Sequence, residues 1–210
     1  MNQVETLLGI FTVDKGKVKI LLVHKKDEPY KGYWVLPNKK LSKNSIEENI
    51  EIQNDDLGLK EVSTFQCHTF NFKEEKSNVI SIAYLGLIDS ITLVLKKEER
   101  NIELQWFDID SIPKTGYEHD KVIEKLLEFL KIKIINSNIL QILFPSDFTL
   151  PELQKIYEQV LNIKLDRRNF RKKMLNLGFI IDTNDVNEGA TGRPAKLYRF
   201  SEEIEEKNIL

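Results

Sequence analysis

The chain has 210 residues, of which 41% are hydrophobic and 30% are charged, and its formal net charge is −2. This length favours two modest domains over one. The lack of a long apolar run, and of an N-terminal basic segment followed by an apolar core, excludes a membrane-spanning helix and predicts no secretory leader. The single cysteine, Cys67, excludes an internal disulfide and a cysteine-rich zinc site. We therefore expect a cytoplasmic protein without a membrane partner.

Strand-like sequence dominates the N-terminal half. The predicted strands cover residues 5–13, 18–23, 62–72, 79–88 and 102–107. A tight turn over residues 14–17 joins the first two strands. One helix is predicted from Ser45 to Leu57, with its apolar residues on one side and Gly58 at its end. Several strands around a single helix indicate a mixed α/β domain.

The common nucleotide-binding loops are missing. The sequence contains neither G-x-G-x-x-G nor G-x-x-x-x-G-K-[ST], which excludes the standard dinucleotide and P-loop sites. His24, His68 and His119 are scattered along the chain, and we expect each to be structural rather than a metal ligand. No cofactor is predicted.

A long amphipathic helix is predicted from His119 to Ile135. Its apolar residues recur at i, i+4, i+7 and i+11, and they are Ile123, Leu127, Leu130 and Ile134. Two alternatives remain open for this stripe, packing between two domains or a seam between two copies of the chain. The helix divides the chain into predicted domains over 1–118 and 137–210, joined by a linker helix over 119–136.

The segment from Thr149 predicts the first helix of a helix-turn-helix. Thr149 and Glu152 are spaced as a capping box, and Pro151 stands in the first turn. The helix runs to about Leu161 and buries the apolar face formed by Leu153, Ile156, Tyr157 and Val160. The next four residues then turn the chain into a second helix.

The second helix is strongly basic. Residues 164–173 hold six lysines and arginines but only one carboxylate, Asp166, which is well placed as an N-cap. The helix is predicted from Arg167 to Leu177, with Phe170, Met174 and Leu177 as a buried stripe, and Gly178 ends it. Its cations therefore face outward, as in a helix that enters the DNA major groove.

A predicted β-hairpin follows. Phe179–Ile181 reads as a short strand, Asp182–Ala195 as a polar loop, and Lys196–Phe200 as a second strand. A helix-turn-helix with such a hairpin is a winged helix, and Arg193 on its loop is placed to reach a minor groove or a phosphate. The alternative is a winged helix used only for protein contacts. The residues predicted to bind DNA are Lys164, Arg167, Arg168, Asn169, Arg171, Lys172, Arg193 and Lys196. The acidic tail from Glu202 to Glu206 is expected to fray.

The N-terminal half resembles the Nudix fold. The resemblance rests on G-Y-W-V-L-P at Gly32–Pro37 and D-D-L-G-L at Asp55–Leu59. In Nudix hydrolases two glycines follow the Leu-Pro pair, and glutamates on the next helix bind Mg²⁺. Here Asn38 and Lys39 replace the glycines, and Ile52 replaces a metal-binding glutamate. We therefore predict a former hydrolase that binds a ligand without turnover.

A rearranged metal site is the alternative. Glu47, Glu51 and Asp55 are spaced i, i+4 and i+8 and so share a helix face, and hard cations prefer several oxygens. The weak metal candidates are Glu51, Asp55 and Asp56. The simpler interpretation is a solvated acidic face, since no supporting histidine, arginine or glycine loop is present. No metal site is therefore predicted.

Taken together, the chain resembles the Nudix-related transcriptional regulators of the NrtR type. The C-terminal half carries three matching strings, F-T-L-x-E-L-Q-x-x-Y-E at Phe148–Glu158, L-D-x-R-N-F-R at Leu165–Arg171, and G-R-P-A-x-L-Y-R-F at Gly192–Phe200. The resemblance implies an α+β protein, a Nudix-like mixed α/β sandwich followed by a winged helix-turn-helix domain.

The function implied by the resemblance is regulation of transcription. A homodimer would read a palindromic operator in double-stranded DNA, with repression favoured over activation. The Nudix-like domain would sense a phosphorylated metabolite such as ADP-ribose and so control genes of NAD or sugar metabolism. The candidate effector-binding residues are Lys25, Lys26, Trp34 and Lys39. An active Nudix hydrolase with a fused regulatory domain, and an adaptor that binds no DNA, are the competing functions.

Overall fold

The computed structural model describes residues 3–73, 78–89, 103–187, 194–201 and 203–209. The chain divides into two compact units, the first formed by residues 1–12 and 19–129 and the second by residues 13–18 and 130–210. In the described ranges, no helix combines the length and the apolar character needed to cross a membrane.

The N-terminal unit is built on a seven-stranded mixed sheet. Its strands are β1 (Gln3–Asp14), β2 (Lys17–His24), β3 (Trp34–Val35), β4 (Asn38–Lys40), β5 (Ser63–Lys73), β6 (Asn78–Leu87) and β7 (Glu103–Asp108). The main order is β3-β2-β1-β6-β5, with β4 added to β1 and β7 added to β2. β1 and β6 run parallel, whereas β5 and β6 form an antiparallel pair. The five predicted strands are confirmed, and the short strands β3 and β4 were not predicted.

Two helices cover the sheet. Helix α1 (Ile46–Leu57) begins with the capping box Ser45–Glu48 and ends at Gly58, whose φ is 75°. Its apolar residues join Leu8 and Ile10 of β1 in one core cluster. A Cβ on the intervening Gly9 would collide with Leu126 of α2 (His119–Asn136). Because neighbouring residues of a strand point to opposite faces, α1 and α2 lie on opposite sides of the sheet.

The apolar stripe of α2 is mostly buried within a single copy of the chain. Ile123 is 4% exposed, Leu130 and Ile134 are fully buried, and Leu127 is half-buried. A stripe that is already covered has little surface to offer to a second copy. This burial favours packing within the chain over the alternative of a dimer seam.

The C-terminal unit is a winged helix. A 3₁₀ turn (Ile139–Leu143) leads into β8 (Phe148–Thr149), α3 (Leu150–Leu161), α4 (Arg167–Leu177), β9 (Ile180–Asn187) and β10 (Ala195–Phe200). The three strands form a sheet in the order β8-β10-β9. The predicted helix bounds and the predicted hairpin are confirmed.

The hairpin has longer strands than the sequence indicated. β9 continues through the polar residues from Asp182 to Asn187, which we assigned to the loop, so that assignment is wrong. Register with β10 explains the extension, because Lys196 pairs with Val186 and Ala195 with Asn187. The candidate Arg193 lies outside the described residues.

The acidic tail is held in place, so the expectation that it frays is wrong for its described residues. Asn138 is fully buried, and its side chain bonds the backbone of Glu203 and Glu205. Further along, the amide nitrogens of Lys207 and Ile209 donate to carbonyl groups at the end of α2. These backbone bonds, with the buried Ile209 side chain, attach the tail to the unit.

Candidate nucleic-acid interface and ligand-binding region

Helix α4 presents its cations as the sequence predicts. The Asp166 side chain caps the helix by accepting a 2.8 Å bond from the Asn169 amide, and Gly178 ends it with a φ of 72°. Phe170 and Met174 are buried, whereas Leu177 is only half-buried. With the apolar stripe fixed against the domain, the basic side chains are left on the solvent side.

The outward cations fall on two faces of α4. At about 100° per residue, Arg168 and Lys172 point directly away from the buried Phe170. Arg167 and Arg171 point to the side, where they line an open groove of about 480 Å³. The groove also includes Leu150, Pro151, Pro194, Ala195, Lys196 and Tyr198. The first pair is therefore the candidate for contacts inside a DNA groove, and the second for contacts with the adjacent backbone.

A hydrogen-bonded lock fixes the turn between α3 and α4. Glu158 accepts 2.9 Å bonds from the Leu165 amide and from the Gln154 side chain, and Gln154 also donates to the Leu165 carbonyl at 2.8 Å. The bond from the Leu165 amide is the main reason that the pKa of Glu158 lies below its ordinary value. Asn162 supplies the left-handed residue that ends α3. This turn sets the direction in which α4 projects.

Aromatic packing joins the two helices from inside. The Tyr157 ring of α3 meets the Phe170 ring of α4 edge-on, with centroids 5.3 Å apart. Tyr157 is fully buried, and this burial raises the pKa of its hydroxyl. At the start of α3, the Thr149 amide donates to the Glu152 carboxylate at 2.7 Å, which is the bond that the predicted capping box requires of Glu152, and the Thr149 hydroxyl donates to the same carboxylate at 2.8 Å. The position of α4 therefore depends on the packing of its buried face against α3.

Two of the predicted DNA contacts already have a carboxylate partner. Lys196 lies 2.7 Å from Asp182 across the hairpin, and their hydrogen bond lowers the pKa of Asp182. Lys164 is almost fully exposed and lies 3.5 Å from Glu158. In contrast, Arg168 and Lys172 have no ion pair within the described part of the chain. The unpaired cations of α4 are thus the stronger candidates for phosphate or base contacts.

Helix α1 stands where Nudix hydrolases carry their metal-binding glutamates. Two of its polar side chains instead form hydrogen bonds within the domain. Asn49 and Gln53 are buried and bond the Thr6 hydroxyl at 2.9 and 2.8 Å. Ile52, in place of a metal-binding glutamate, is 37% exposed. Asp56, one of the weak metal candidates, instead forms a 2.7 Å ion pair with Lys39.

The remaining acidic candidates lie apart from any ligand cluster. Glu51 and Asp55 are exposed on the outer side of α1. Across the ranges the structure describes, no three histidine, cysteine or acidic side chains come together as metal ligands. Where the Nudix glycines would stand, Asn38 donates a 2.9 Å bond to the buried Glu5, which also accepts one from Ser81 at 2.7 Å.

The candidate effector residues lie on a loop and two short strands, with Lys25 and Lys26 in the loop, Trp34 in β3 and Lys39 in β4. The backbone of Lys25 closes the loop by bonding Tyr33 and Gly32, and Lys26 follows as an exposed residue. The Trp34 ring is half-buried, 4.9 Å from the rings of both His24 and Phe107. Trp34 therefore has a packing role whether or not it also touches a ligand.

Sequence reasoning overlooked three tyrosines in this region. Tyr30, Tyr33 and Tyr117 form a cluster of ring contacts on the surface. The repeated tyrosines around Gly32 were a signal within the loop. Tyr117 lies far along the chain from this loop, and no local sequence pattern predicts its contact with Tyr30.

His119 is buried beneath the same region. Its Nδ1 accepts a 3.0 Å bond from the Leu36 amide, so the structure assigns it the structural role predicted from sequence. Burial lowers its pKa to about 4. At neutral pH the ring is therefore uncharged, as its role of acceptor requires.

Comparison with known families identifies the C-terminal unit. A family model for the NrtR DNA-binding winged helix domain matches residues 141–200. The matched residues cover most of the winged helix that the structure shows in the C-terminal unit. In the crystal structure of Shewanella oneidensis NrtR complexed with a 27mer DNA, the fold is similar over 94% of this chain and 93% of that one. The TM-score is 0.79 at 22% identity.

Two curated relatives extend the likeness. The ADPR responsive transcriptional repressor NtrR of Acinetobacter baylyi is 27% identical over 92% of this chain and 80% of its own length. The ADP-ribose pyrophosphatase of Methanocaldococcus jannaschii is 29% identical over 53% of this chain and 67% of its own. The predicted resemblance to Nudix-related transcriptional regulators, and the predicted α+β fold of Nudix-like domain and winged helix, are therefore confirmed.

Proposed function

We propose that the protein is a DNA-binding transcriptional repressor that responds to ADP-ribose or a closely related phosphorylated metabolite. The winged helix binds the operator, and the Nudix-like domain binds the metabolite without hydrolysing it. The response of the Acinetobacter relative to ADP-ribose supports this choice of ligand. Regulated genes would then belong to NAD or sugar metabolism.

One observation carries the DNA-binding part of the proposal. Helix α4 holds Arg168 and Lys172 on its solvent face, directly opposite the buried Phe170, inside a domain of a DNA-binding family. Arginine and lysine in this arrangement bind guanine edges and phosphates. The cations are concentrated here although the whole chain is slightly acidic.

The DNA test begins with a library of random duplexes, because the operator is unknown. Selected duplexes, labelled with a fluorophore, are titrated with protein and followed by anisotropy at several salt concentrations. We expect affinity that falls linearly with the logarithm of salt concentration and a clear preference over shuffled sequence. Weak binding that is equal for all sequences would contradict the proposal.

The ligand test uses the same complex. ADP-ribose should lower the affinity of the protein for the selected duplex. A ligand that binds the DNA-free conformation more tightly than the DNA-bound one must weaken DNA binding by the same factor. ADP-ribose should also raise the melting temperature of the protein alone. If neither quantity changes with ADP-ribose, NAD or phosphorylated sugars, the metabolite-sensing part of the proposal is wrong.

A homodimer is part of the proposal. A single winged helix buries only about 600–1,000 Å² of protein surface on DNA, which is small for a specific operator complex. Two heads on one face of DNA require half-sites about 10–10.5 bp apart or a multiple of that spacing, so the selected duplexes should be palindromic. Light scattering decides the state in solution, and a monomer that binds one half-site specifically would contradict the dimer.

Hydrolysis of the ligand is the second candidate function, and the similarity to an ADP-ribose pyrophosphatase favours it. We propose no turnover, because Ile52 cannot ligate a metal and Asp56 is paired with Lys39. The test is release of AMP from ADP-ribose with Mg²⁺ or Mn²⁺. Turnover well above background that disappears in Asp55→Asn or Glu51→Gln would establish a rearranged active site.

A further inference from the structure

The loop from Lys25 to Tyr33 carries exposed aromatic rings that the proposed function has not yet used. Tyr30 is 42% exposed and Tyr33 is 40% exposed. Their ring centroids lie 5.9 Å apart in an edge-on arrangement, and Tyr117 packs against Tyr30 at 4.4 Å. Three tyrosines that gather on one surface patch offer flat, polarisable faces with hydroxyl groups at their edges.

The patch is held in one conformation by its surroundings. The Tyr117 hydroxyl donates to the Pro29 carbonyl at 3.3 Å, and the Tyr33 amide donates to the Tyr30 carbonyl at 3.0 Å. Gly116 lies close to the Tyr30 side chain, since a Cβ at this glycine would approach the Tyr30 Cβ to 3.0 Å and its Cγ to 3.1 Å. A side chain larger than glycine at this position would displace Tyr30, so the close approach is a condition for the cluster.

The backbone of the patch is unusual at two of its tyrosines. Tyr30 has a φ of 69° and Tyr117 a φ of 57°, in the left-handed region that bulky residues rarely adopt. Such conformations are unfavourable for residues with a bulky side chain, and they cluster at active sites and ligand-binding sites. The fold therefore holds these rings at the surface against both local strain and exposure to water.

Charged and polar residues in the same loop, and in the segment before Tyr117, indicate the class of ligand. Lys25 closes the base of the loop, and Lys31 stands between the two exposed tyrosines in sequence. Thr115, which precedes Gly116, is 6% exposed, and its hydroxyl has no hydrogen-bond partner in the described part of the chain. A nucleotide, in which a ribose joins an aromatic base to phosphate groups, matches aromatic faces on a loop that also carries lysines.

We infer that Tyr30, Tyr33 and Tyr117 form a platform on which the base of a phosphorylated nucleoside stacks. This inference rests on the proposed function, and it names the part of the effector that the platform recognises. The base lies on the exposed tyrosine rings, and the phosphates extend toward the lysines of the loop. Selectivity for a nucleotide over a phosphorylated sugar then follows from stacking, which a sugar phosphate cannot provide.

Calorimetric titration of the full-length protein tests the platform. ADP-ribose, ADP and ribose 5-phosphate are the three probes, and the first two share the base that the third lacks. We expect Tyr33→Ala and Tyr30→Ala each to weaken ADP-ribose binding about tenfold, the typical loss of one stacking face. Tyr33→Phe keeps the ring and should bind within about twofold of the wild type. Phe72→Ala, a matched removal of a half-buried ring on β5, should leave the affinity unchanged.

The outcomes separate the platform from the proposed function. If ADP-ribose binds the wild type and both alanine variants equally, or if ribose 5-phosphate binds as tightly as ADP-ribose, the platform is wrong and the repressor function stands. If the wild type binds its operator but none of the three probes, both the platform and the metabolite response are wrong. If the alanine variants convert a dimer to a monomer by light scattering, the tyrosines contact a second copy and the inference is overturned.

Discussion

Helices α1 and α4 are capped in the same way at both ends, but their polar and charged side chains have different partners. Both begin at a capping side chain, Ser45 or Asp166, and both end at a left-handed glycine. On α1 the buried polar residues bond β1, and Asp56 is paired with Lys39. On α4 the polar side chains bond little within the chain and face solvent. Charge alone therefore does not identify a binding helix, and the partners of each charged side chain must be compared as well.

The largest expected effect concerns the outward cations of α4. The double variant Arg168→Ala, Arg171→Ala should lose about a hundredfold or more in operator affinity, because a well-placed base contact is worth about 1–3 kcal/mol. The slope of log affinity against log salt should also fall by about 0.9 for each phosphate contact removed. Anisotropy titrations at several salt concentrations measure both quantities.

A matched control removes two exposed lysines from the N-terminal unit. The double variant Lys60→Ala, Lys114→Ala changes the net charge by the same amount as the α4 double variant but leaves α4 intact. This control should stay within about threefold of the wild type, since distant exposed charges are largely screened in salt. Equal losses in both double variants would show that net charge, and not the face of α4, determines binding.

The free energy of unfolding should depend on pH, because the N-terminal unit buries an uncharged histidine. His119 has an ordinary pKa of 6.5 that burial lowers to about 4 in the folded state. Below about pH 6.5 the unfolded chain binds a proton that the native state excludes, so stability is complete above this pH and is lost as pH falls toward 4. The His119 contribution to the free energy of unfolding should fall by about 2 kcal/mol between about pH 7 and pH 5.

Urea unfolding at the two pH values measures this effect. His119→Asn keeps an acceptor for the Leu36 amide but does not titrate, so the difference between wild type and variant isolates the histidine. The variant should show a flatter dependence of stability on pH. Parallel curves would mean that His119 is protonated in the native state or that other groups dominate.

A smaller effect is expected where polar groups of the winged helix bond within the chain. Glu158→Ala removes the acceptor of the Leu165 amide and of Gln154, at an expected cost of about 1–2 kcal/mol in the free energy of unfolding. Operator affinity should fall as well, because the turn orients α4. Lys155→Ala, an exposed residue on the same helix, is the control. Unchanged unfolding midpoints in Glu158→Ala would show that the turn is fixed by packing alone.

The sequence predicted well what local chemistry determines. Caps, left-handed glycines and apolar periodicity gave the bounds of α1, α3 and α4, and the turn at Lys15 and Gly16 has the positive φ values that its sequence demands. The short strands β3 and β4 were missed because two or three residues show no periodicity. These features depend on the neighbours they pair with and not on their own composition.

Non-local contacts explain the errors in the second unit. The polar half of β9 looks like loop in sequence and becomes strand only because β10 pairs with it. The C-terminal tail is acidic, but the buried Asn138 and the backbone at the end of α2 hold it by hydrogen bonds. In the N-terminal unit, likewise, only the fold brings Tyr117 to Tyr30.

The ion pair of Lys196 with Asp182 changes what can be expected of this lysine as a DNA contact. Sequence reasoning counted it among the DNA contacts, yet its ammonium group lies 2.7 Å from the Asp182 carboxylate. A paired cation releases few additional counterions when it meets a phosphate, so Lys196→Ala should weaken operator binding by less than about threefold and leave the salt slope nearly unchanged. Arg171 lines the same groove, and Arg171→Ala should lower that slope by about 0.9 if the arginine contacts a phosphate.

The reciprocal variant completes this test. Asp182→Asn removes the carboxylate but keeps a side chain of similar size, so it should free Lys196 and raise operator affinity by a small factor with a steeper salt slope. The double variant Asp182→Asn, Lys196→Ala should lose that gain, because the lysine that the first change frees is gone. If Lys196→Ala cost as much operator affinity as Arg171→Ala, Lys196 would be a direct DNA contact. Its ion pair with Asp182 would then exist only in the free protein.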